Sequence, residues 1–534
     1  MKRYIFKTCV FGLGLLTLAS CDDPMDEITS IVYDRVFSPV DFETSSPGTD
    51  KVTLKWVESQ GAGNYTVELF ANDSLEFAGD PTQTFTGITG NSLTIEGLDF
   101  DTRYSARIMA IDTADVDRNS KWSEVTFRTN AEQYLESLAE QDVADRHVTV
   151  AWPEHTDQPV ATVAVEDESG NVVVTKQLTA EEIAAGEAVV EGLQPETKYD
   201  VYLYLEDGRQ CGHQTFTTIM DLEGAITIGP DDDIAAMLEA ASDGAVFALY
   251  SGVHAIGGDP LNAGCATITK NITIKGIYPT NRPVICGRFQ IEEGASLSLS
   301  QVVLDGSNNE TTDQAFNYKT DGATYETLDV QDCEIYGYTK GLLYLNVAAT
   351  INKATFNNCL IHDIECDGGD FYDSRKGRIN ETNLTNSTIY NVALEREFIR
   401  IDDASGAMGG GNPVINILNC TLNNVSNFAG KRLLYVRYAG NVINWKNNLT
   451  TNTAGVFSNQ SSTSTPAFEN NAYFNTPNLS TVVEKTNNFT DESSSVTWDV
   501  DPEYKDADNG DFTIQNEDVS KRMVGDPRWY TSQE

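Results

Sequence analysis

The sequence predicts an all-β chain in which two antiparallel β-sandwiches precede one long parallel β-helix, and three observations carry that prediction. First, five segments between Leu328 and Leu449 repeat one another. Each places an amide or carboxylate at the same point, Asp332, Asn358, Asn386, Asn419 and Asn447, at intervals of 26, 28, 33 and 28 residues. Self-similarity at such a period marks stacked units, and the apolar and β-branched residues alternating around each polar position make those units strands. Second, residues 32–218 hold short period-two runs such as VTLKW, YTVELF and RYSARIMAID, with turn residues at intervals of roughly ten, as in sandwiches. Third, one short stretch of helical period stands at Pro230 to Ser242, just before the solenoid strands begin.

Residues 1–20 read as a lipoprotein signal peptide. Lys2, Arg3 and Lys7 supply a basic start, and Val10 to Ala19 an apolar run too short to span a bilayer. The sequence Leu18-Ala19-Ser20-Cys21 resembles a bacterial lipobox, which implies lipid on Cys21, with residues 21–31 as a lipidated linker. Asp22-Asp23 resembles the export tag of Bacteroidota surface lipoproteins. The implied location is the outer membrane, facing outward, with the membrane contacted only through the lipid.

Composition agrees with that setting. There are 36 Lys and Arg against 80 Asp and Glu, a formal charge of −44, which argues against nucleic acid or an anionic membrane surface as partner. Of nine cysteines, Cys9 leaves with the leader and Cys21 takes lipid. The odd remainder, without paired spacing, implies no disulfide framework. Cys333 and Cys359 would lie on adjacent coils, at a separation that does not forbid a bridge.

The first sandwich is expected over residues 32–130, with Trp56 in its core. Its run Leu98-Asp99-Phe100-Asp101-Thr102-Arg103-Tyr104 resembles the corner of a fibronectin type III domain, where a tyrosine hydroxyl ties down a strand crossing. The same elements recur over residues 131–218, with Trp152, Leu193 and Tyr199 in matching places. Two fibronectin type III-like domains in tandem would serve as spacers holding a distal domain away from the membrane.

Residues 219–534 are expected to form the β-helix. PDDDIAAMLEAAS, with acidic residues in its first turn and an apolar face of Ile234, Met237, Leu238 and Ala241, suits a short helix capping the exposed first coil. In the repeats, the residues after each polar position, Cys333, Cys359, Ser387, Cys420 and Asn448, would form an interior column about 4.8 Å apart, under an amide ladder. A second ladder lies between them, in GLLYLNVA, GDFYDSRKG, EFIRIDDASG and RLLYVRYAG. With Leu343/Leu345, Tyr372/Ser374, Ile399/Ile401 and Leu434/Val436 inward, the outward pairs are Tyr344/Asn346, Asp373/Arg375, Arg400/Asp402 and Tyr435/Arg437. Between Phe371 and Lys446 nine Lys or Arg face six Asp or Glu, so the basic residues of an acidic chain gather on this ladder.

The opening SGVHAI...ITKNITIKGI, the repeated rungs and the closing DPEYKDADNGDFTI...VGDPRWY resemble right-handed parallel β-helices of the pectate-lyase superfamily, from about Ile219 to Tyr530. The ending is similar to that of Bacteroidota β-helix lipoproteins built of domains of unknown function behind fibronectin modules, often associated with pectin utilisation. One fold of this kind hosts lyases, hydrolases, esterases and binding proteins. If the chain is a lyase, the resemblance implies an arginine base among Arg375, Arg400 and Arg437, with calcium held by Asp373, Asp402 and Asp403 to neutralise a uronate. The superfamily's arginine motif and a cluster of three acidic rungs are both missing.

If the chain only binds, Tyr344, Asn346, Arg375, Arg400, Tyr435 and Arg437 would take an acidic polysaccharide. Arginine matches carboxylates bidentately, tyrosine stacks on sugar rings, and the protein would hand its ligand to outer-membrane glycan-uptake proteins. A structural or adhesive reading also stands, in which the arginines merely pair with Asp373 and Asp402 across strands. The glycine-rich loop Asp402 to Pro413 is the longest insertion between rungs and is expected to close over the groove. Asp506 to Asp511 has its glycine one place early for a calcium loop and reads as a turn. His147, His155, His213, His254 and His362 show no metal-ligand spacing, and no G-x-S-x-G turn appears.

Overall fold

The protein is seen in a computed structural model that describes residues 34–154, 158–483 and 485–530. The leader, the expected lipidation site Cys21, its linker and His155 lie outside the described residues. The first sandwich pairs strands Val40–Ser45, Lys51–Val57 and Ser92–Glu96 in one antiparallel sheet. Its partner sheet holds Asn64–Ala71, Gln83–Ile88, Arg103–Ile111 and Ser123–Arg128. Alternation decides which side faces in: Val52, Leu54 and Trp56 are buried while Lys51, Lys55 and Val57 are exposed. The expected corner is present, since the Asp99 N–H donates to the Tyr104 hydroxyl at 2.9 Å.

In the second sandwich the Gln194 N–H donates to the Tyr199 hydroxyl at 3.0 Å, the same device in the second copy. One element there was not foreseen, a helix at Ala180–Ala185. Its signal was present as Thr179 and Glu182, which cap each other's backbone N–H groups at 3.2 and 2.9 Å. The sandwiches are docked on each other. Phe100 of the first lies buried in the core of the second, Arg209 sits 4.6 Å over its ring, and the Gln210 N–H donates to Asp101 at 2.7 Å. A second apolar junction of Ile219, Met220, Ala248 and Ile277 joins the sandwiches to the solenoid, beside a Lys275 to Glu196 ion pair.

The solenoid has three parallel sheets, of ten strands on the first face, ten on the second and seven on the third. The coils in the middle of the solenoid contribute one strand to each face, in register with the next; Leu328, Ala354 and Thr382, for example, stack along the first. Inside, one continuous core runs from Ile228 to Phe489. Aromatic rings stack along it, with centroids 6.1 Å apart for Phe289 and Phe316 and 5.1 Å for Phe371 and Phe398. The expected interior column is there: Cys333, Cys359, Ser387, Cys420 and Asn448 are all fully buried. Its members bond from coil to coil, the Cys359 N–H to Ser387 Oγ at 2.9 Å and the Cys420 N–H to Asn448 Oδ1 at 2.8 Å. Cys333 and Cys359 are free thiols, and burial pushes Cys333 up to about 12, far from a reactive thiolate.

The corner asparagines have a reason that the sequence reading missed. Asp332, Asn358, Asn386, Asn419 and Asn447 all sit at φ between 48° and 54°, the left-handed region that asparagine and aspartate tolerate best after glycine. The amide ladder follows in part: Asn419 donates to Asn386 at 2.9 Å and Asn358 to Asp332, whereas Asn386 turns to Asn357 at 2.8 Å.

Both ends are closed. Helix Ile234–Ala240 covers the first coil, inserting Ile234 and Leu238 into the core. The acidic run precedes the helix and does not occupy its first turn; Asp233 is the N-cap, accepting from the Ala236 N–H at 3.1 Å. At the far end Leu479 and Phe489 plug the last coil. The chain then turns back along the second face through the hairpin Tyr504–Asp506 and Asp511–Ile514. The expected turn at Asp506 to Asp511 is present, with Gly510 at φ 83°. Beyond it, Phe512 packs on Tyr390 and Trp529, and Asp526 accepts from the Thr388 hydroxyl at 2.8 Å. No helix among the described residues is long and apolar enough to cross a membrane.

Candidate functional site

The third face is built of strands only three residues long through the charged region: Leu343–Leu345, Tyr372–Ser374, Ile399–Ile401 and Leu434–Val436. The first and third residue of each strand are buried, and the middle one is partly exposed in three of them, whereas Asp373, the middle residue of Tyr372–Ser374, is itself fully buried. Register stacks those middle residues as Asn317, Tyr344, Asp373, Arg400 and Tyr435. The residue just after each strand forms a second column, Asn346, Arg375, Asp402 and Arg437, fixed where the Arg375 N–H meets Leu345 O at 2.8 Å and the Arg437 N–H meets Ile401 O at 2.7 Å.

A third column, two residues before each strand, holds Asp370, Glu397 and Arg432. It was missed from the sequence. The signal was available: aligned on their strands, DFYDSR, EFIRID and RLLYVR each begin with an ionisable residue.

These columns interlock. Asp373, fully buried, takes Arg375 Nε at 2.9 Å on each oxygen and Nη2 at 2.8 Å. Asp370 bridges two coils, receiving Arg375 Nη2 at 3.2 Å and Arg400 Nη1 at 3.1 Å, and also the Glu397 N–H. Asp402 joins the next pair, with Arg400 Nη2 and Arg437 Nη2 each at 3.0 Å. Glu397 holds Arg432 at 2.6 Å. Around Tyr435, Arg400, Arg432 and Arg437 lie 5.2, 4.9 and 5.1 Å from the ring centre. The carboxylates sit beneath and the guanidiniums above: Asp370 and Asp373 side chains are 3% and 0% exposed, while Arg375, Arg400 and Arg437 are 32%, 23% and 38% exposed.

Electrostatics follow the packing. The hydrogen bonds that Arg375 donates to Asp373 raise its guanidinium above the ordinary arginine value, and Arg400 is also raised, because Asp402 and Asp370 outweigh the burial that opposes its charge. Burial lifts Asp373 above the usual carboxylate range despite Arg375. Burial acts likewise on Asp402, but Arg400 and Arg437 more than offset it and hold that carboxyl low.

The structure therefore brings together Asp373, Arg375, Arg400, Asp402, Tyr435 and Arg437, with Tyr344 and Asn346 on the adjoining rung. Among the described residues, neither the Tyr344 hydroxyl nor the Asn346 amide has a hydrogen-bond partner. Asp403 turns away, capping Ser405 through its N–H at 3.0 Å and its hydroxyl at 2.6 Å. For calcium, Asp373 and Asp402 direct their oxygens at guanidiniums and Asp403 at Ser405. Among the described residues no three His, Cys, Asp or Glu side chains gather as metal ligands. The loop Asp402 to Pro413 differs from the lid expected of it. It forms a helical turn at Ser405–Met408 and is strapped down, with Tyr438 donating to Gly409 O at 2.6 Å and Arg378 to Met408 O and Gly410 O at 3.4 Å.

Residues 260–392 match a family described as Domain of unknown function (DUF4957), and residues 415–529 match Domain of unknown function (DUF5123). No curated protein matches this chain. Among solved structures, a two fibronectin type-III domain segment from chicken tenascin is 18% identical, with a TM-score of 0.24, over 34% of this chain and 99% of that one. Two successive stretches of the solenoid thus match two families of unknown function, and two antiparallel sandwiches precede them.

Proposed function

We propose that this chain is a surface lipoprotein, anchored through Cys21, that binds an acidic, uronate-containing polysaccharide along the third face of its solenoid. The observation that carries the reading is the arginine ladder, in which Arg375, Arg400 and Arg437 are held by buried carboxylates with their outer edges in solvent. Held guanidiniums cost little further side-chain entropy when they take a carboxylate, and their planar fork suits that partner. Arg437 meets Asp402 through Nη2 at 3.0 Å, and its Nε is buried without a hydrogen-bond partner. Tyr435, ringed by cations, adds a face for a sugar ring.

Binding is favoured over β-elimination by the same groups. An arginine that removes a proton must first be neutral, and the carboxylates beside Arg375 and Arg400 raise both above the ordinary value, which stabilises the charged form. The docked sandwiches support a spacer role, because Phe100 and the junction at Ile219 leave no free linker between lipid-proximal and distal domains. Glycan-uptake proteins of the outer membrane would receive the bound polymer.

The test is retention in an affinity gel of polygalacturonate or pectin, beside ultraviolet absorbance for the unsaturated product of elimination, each with calcium and with chelator. Retention lost in the triple Arg375→Ala, Arg400→Ala, Arg437→Ala variant, with flat absorbance, is the expected result. Rising absorbance would instead make the chain a lyase. A third outcome belongs to the structural reading, which the complete pairing of Arg400 favours: the triple variant then lowers the unfolding midpoint and no polysaccharide retards the chain.

A further inference from the structure

We infer that the acidic polymer is gripped over five successive coils, because Lys319 and Arg288 form a further carboxylate-binding subsite beyond the rung of Tyr344 and Asn346. This deepens the binding reading above and rests on it. Register places Lys319 in the column of Asn346, Arg375, Asp402 and Arg437, since Tyr318 pairs with Leu345, Leu345 with Ser374, Ser374 with Ile401 and Ile401 with Val436. Coils repeat about every 4.8 Å, so Lys319 and Arg437 stand about 19 Å apart along the solenoid axis.

Little of the charge on Lys319 and Arg288 is used inside the chain. Both face one carboxylate, Asp313, and each meets it at 3.6 Å, too far for a hydrogen bond. Among the described residues no other carboxylate pairs with either cation, so two positive charges share one negative charge. Arg375 and Arg400, by contrast, each donate at least three hydrogen bonds to carboxylates. An uncommitted cation gains more from an incoming carboxylate than one already shared. The cluster is also held in place. Arg288, 11% exposed at its side chain, donates from Nη2 to Thr311 Oγ1 at 2.8 Å, while its buried Nη1 has no hydrogen-bond partner. Lys319 is 48% exposed and free to reach outward. Burial lifts the nearby Cys265 thiol, Arg288 and Lys319 pull it down and Asp313 lifts it, so the three charges surround one spot. One coil earlier in the column, Glu292 accepts from Gln290 at 2.5 Å and from Thr320 at 2.6 Å, and its carboxylate ends the cationic track. Between the two groups of cations, Tyr344 and Asn346 have no partner in the chain and can bond hydroxyls of the sugar that joins them.

The experiment measures the affinity of the mature chain for oligogalacturonates from dimer to octamer by titration calorimetry, at low and at high salt. One sugar advances such a chain by roughly one coil, so affinity should rise with length up to about five sugars and then level. Lys319→Ala should weaken the hexamer about two- to fivefold and leave the trimer, which fits within Arg375 to Arg437, unchanged. Asp313→Asn removes the one carboxylate between the cations and should strengthen the hexamer by a similar factor, a gain that a merely structural ion pair would not give. Both effects should fade at high salt. Affinity that levels at the trimer, or a hexamer indifferent to both variants, overturns the five-coil grip. If Arg437→Ala changes the affinity of no oligomer, the binding reading itself falls, which is a different result from loss of the Lys319 subsite.

Discussion

The corner between the first and second faces and the outer surface of the third face repeat with the same coil, yet they use repetition differently. At the corner one residue type returns because the backbone requires it: five successive coils place Asp or Asn at φ near 50°. On the first face the amides of Asn383, Asn416 and Asn444 likewise hand one hydrogen bond per coil, each at 2.7 Å. These columns consume their donors internally, so they stabilise and offer nothing outward. The third face has three-residue strands and no backbone demand at its middle position, and there the series runs Tyr344, Asp373, Arg400, Tyr435. Uniformity stands where the backbone permits little and variation where it permits much, and the face proposed to bind is the varied one.

The sharpest way to break the interior column is Asn448→Leu. Asn448 is fully buried; its Oδ1 accepts the Cys420 N–H at 2.8 Å and its Nδ2 donates to Ile417 O at 2.8 Å. The leucine leaves two buried backbone groups unpaired, which costs about 2–5 kcal/mol. Urea unfolding should show the unfolding free energy falling by that amount, with retention on polysaccharide gels intact below the transition. On the third face the matching change is Asp370→Asn. It removes the charge shared by Arg375 and Arg400 while keeping shape, and should cost about 1–3 kcal/mol, with the loss confined to that face. If Asp370→Asn is neutral in unfolding and in binding, the ladder is not an organised site.

Corner geometry gives a smaller and more diagnostic effect. Asn386 stands at φ 48°, so Asn386→Ala should lower stability by about 1–2 kcal/mol and Asn386→Gly should recover most of the difference. Equal losses would mean that the side-chain bonds to Asn357 and Asn419, not the backbone conformation, are what the corner needs.

The same contrast explains what the sequence made legible. The solenoid showed because its corner residues recur under a backbone constraint, and the period could be counted. The outward pairs of the third face showed because apolar residues on either side fixed their direction. Asp370, Glu397 and Arg432 did not show, because each precedes two consecutive buried residues, Phe371 and Tyr372 for instance, and strict alternation would have placed it inside. Phe100 was read only as part of a corner, since no local pattern states that a side chain will enter the neighbouring domain. The strapped loop misled for a related reason: glycine content signals permitted conformations, while the bonds from Tyr438 and Arg378 come from distant coils.

The second face supplies the smallest test, an ionic group with no outward role. His362 is stacked between Tyr336 and Tyr390, with ring centroids 5.2 and 4.7 Å away, and its nitrogens meet Glu334 at 3.0 Å and Asp363 at 2.8 Å. Burial opposes the imidazolium, but the bonds to Glu334 and Asp363 outweigh it and raise the histidine above its ordinary 6.5. A raised folded value means that the protonated form stabilises the fold. That contribution is complete below 6.5 and fades as pH rises through the raised value. Thermal unfolding of the parent chain and of His362→Gln, scanned from pH 5.5 to about 8.5 across that window, should therefore show a difference that narrows toward the alkaline end. Glycan retention should be indifferent to His362→Gln at every pH. A pH-dependent change in retention would instead place the second face in the binding surface and dissolve the contrast between columns that only stack and the one that also faces a ligand.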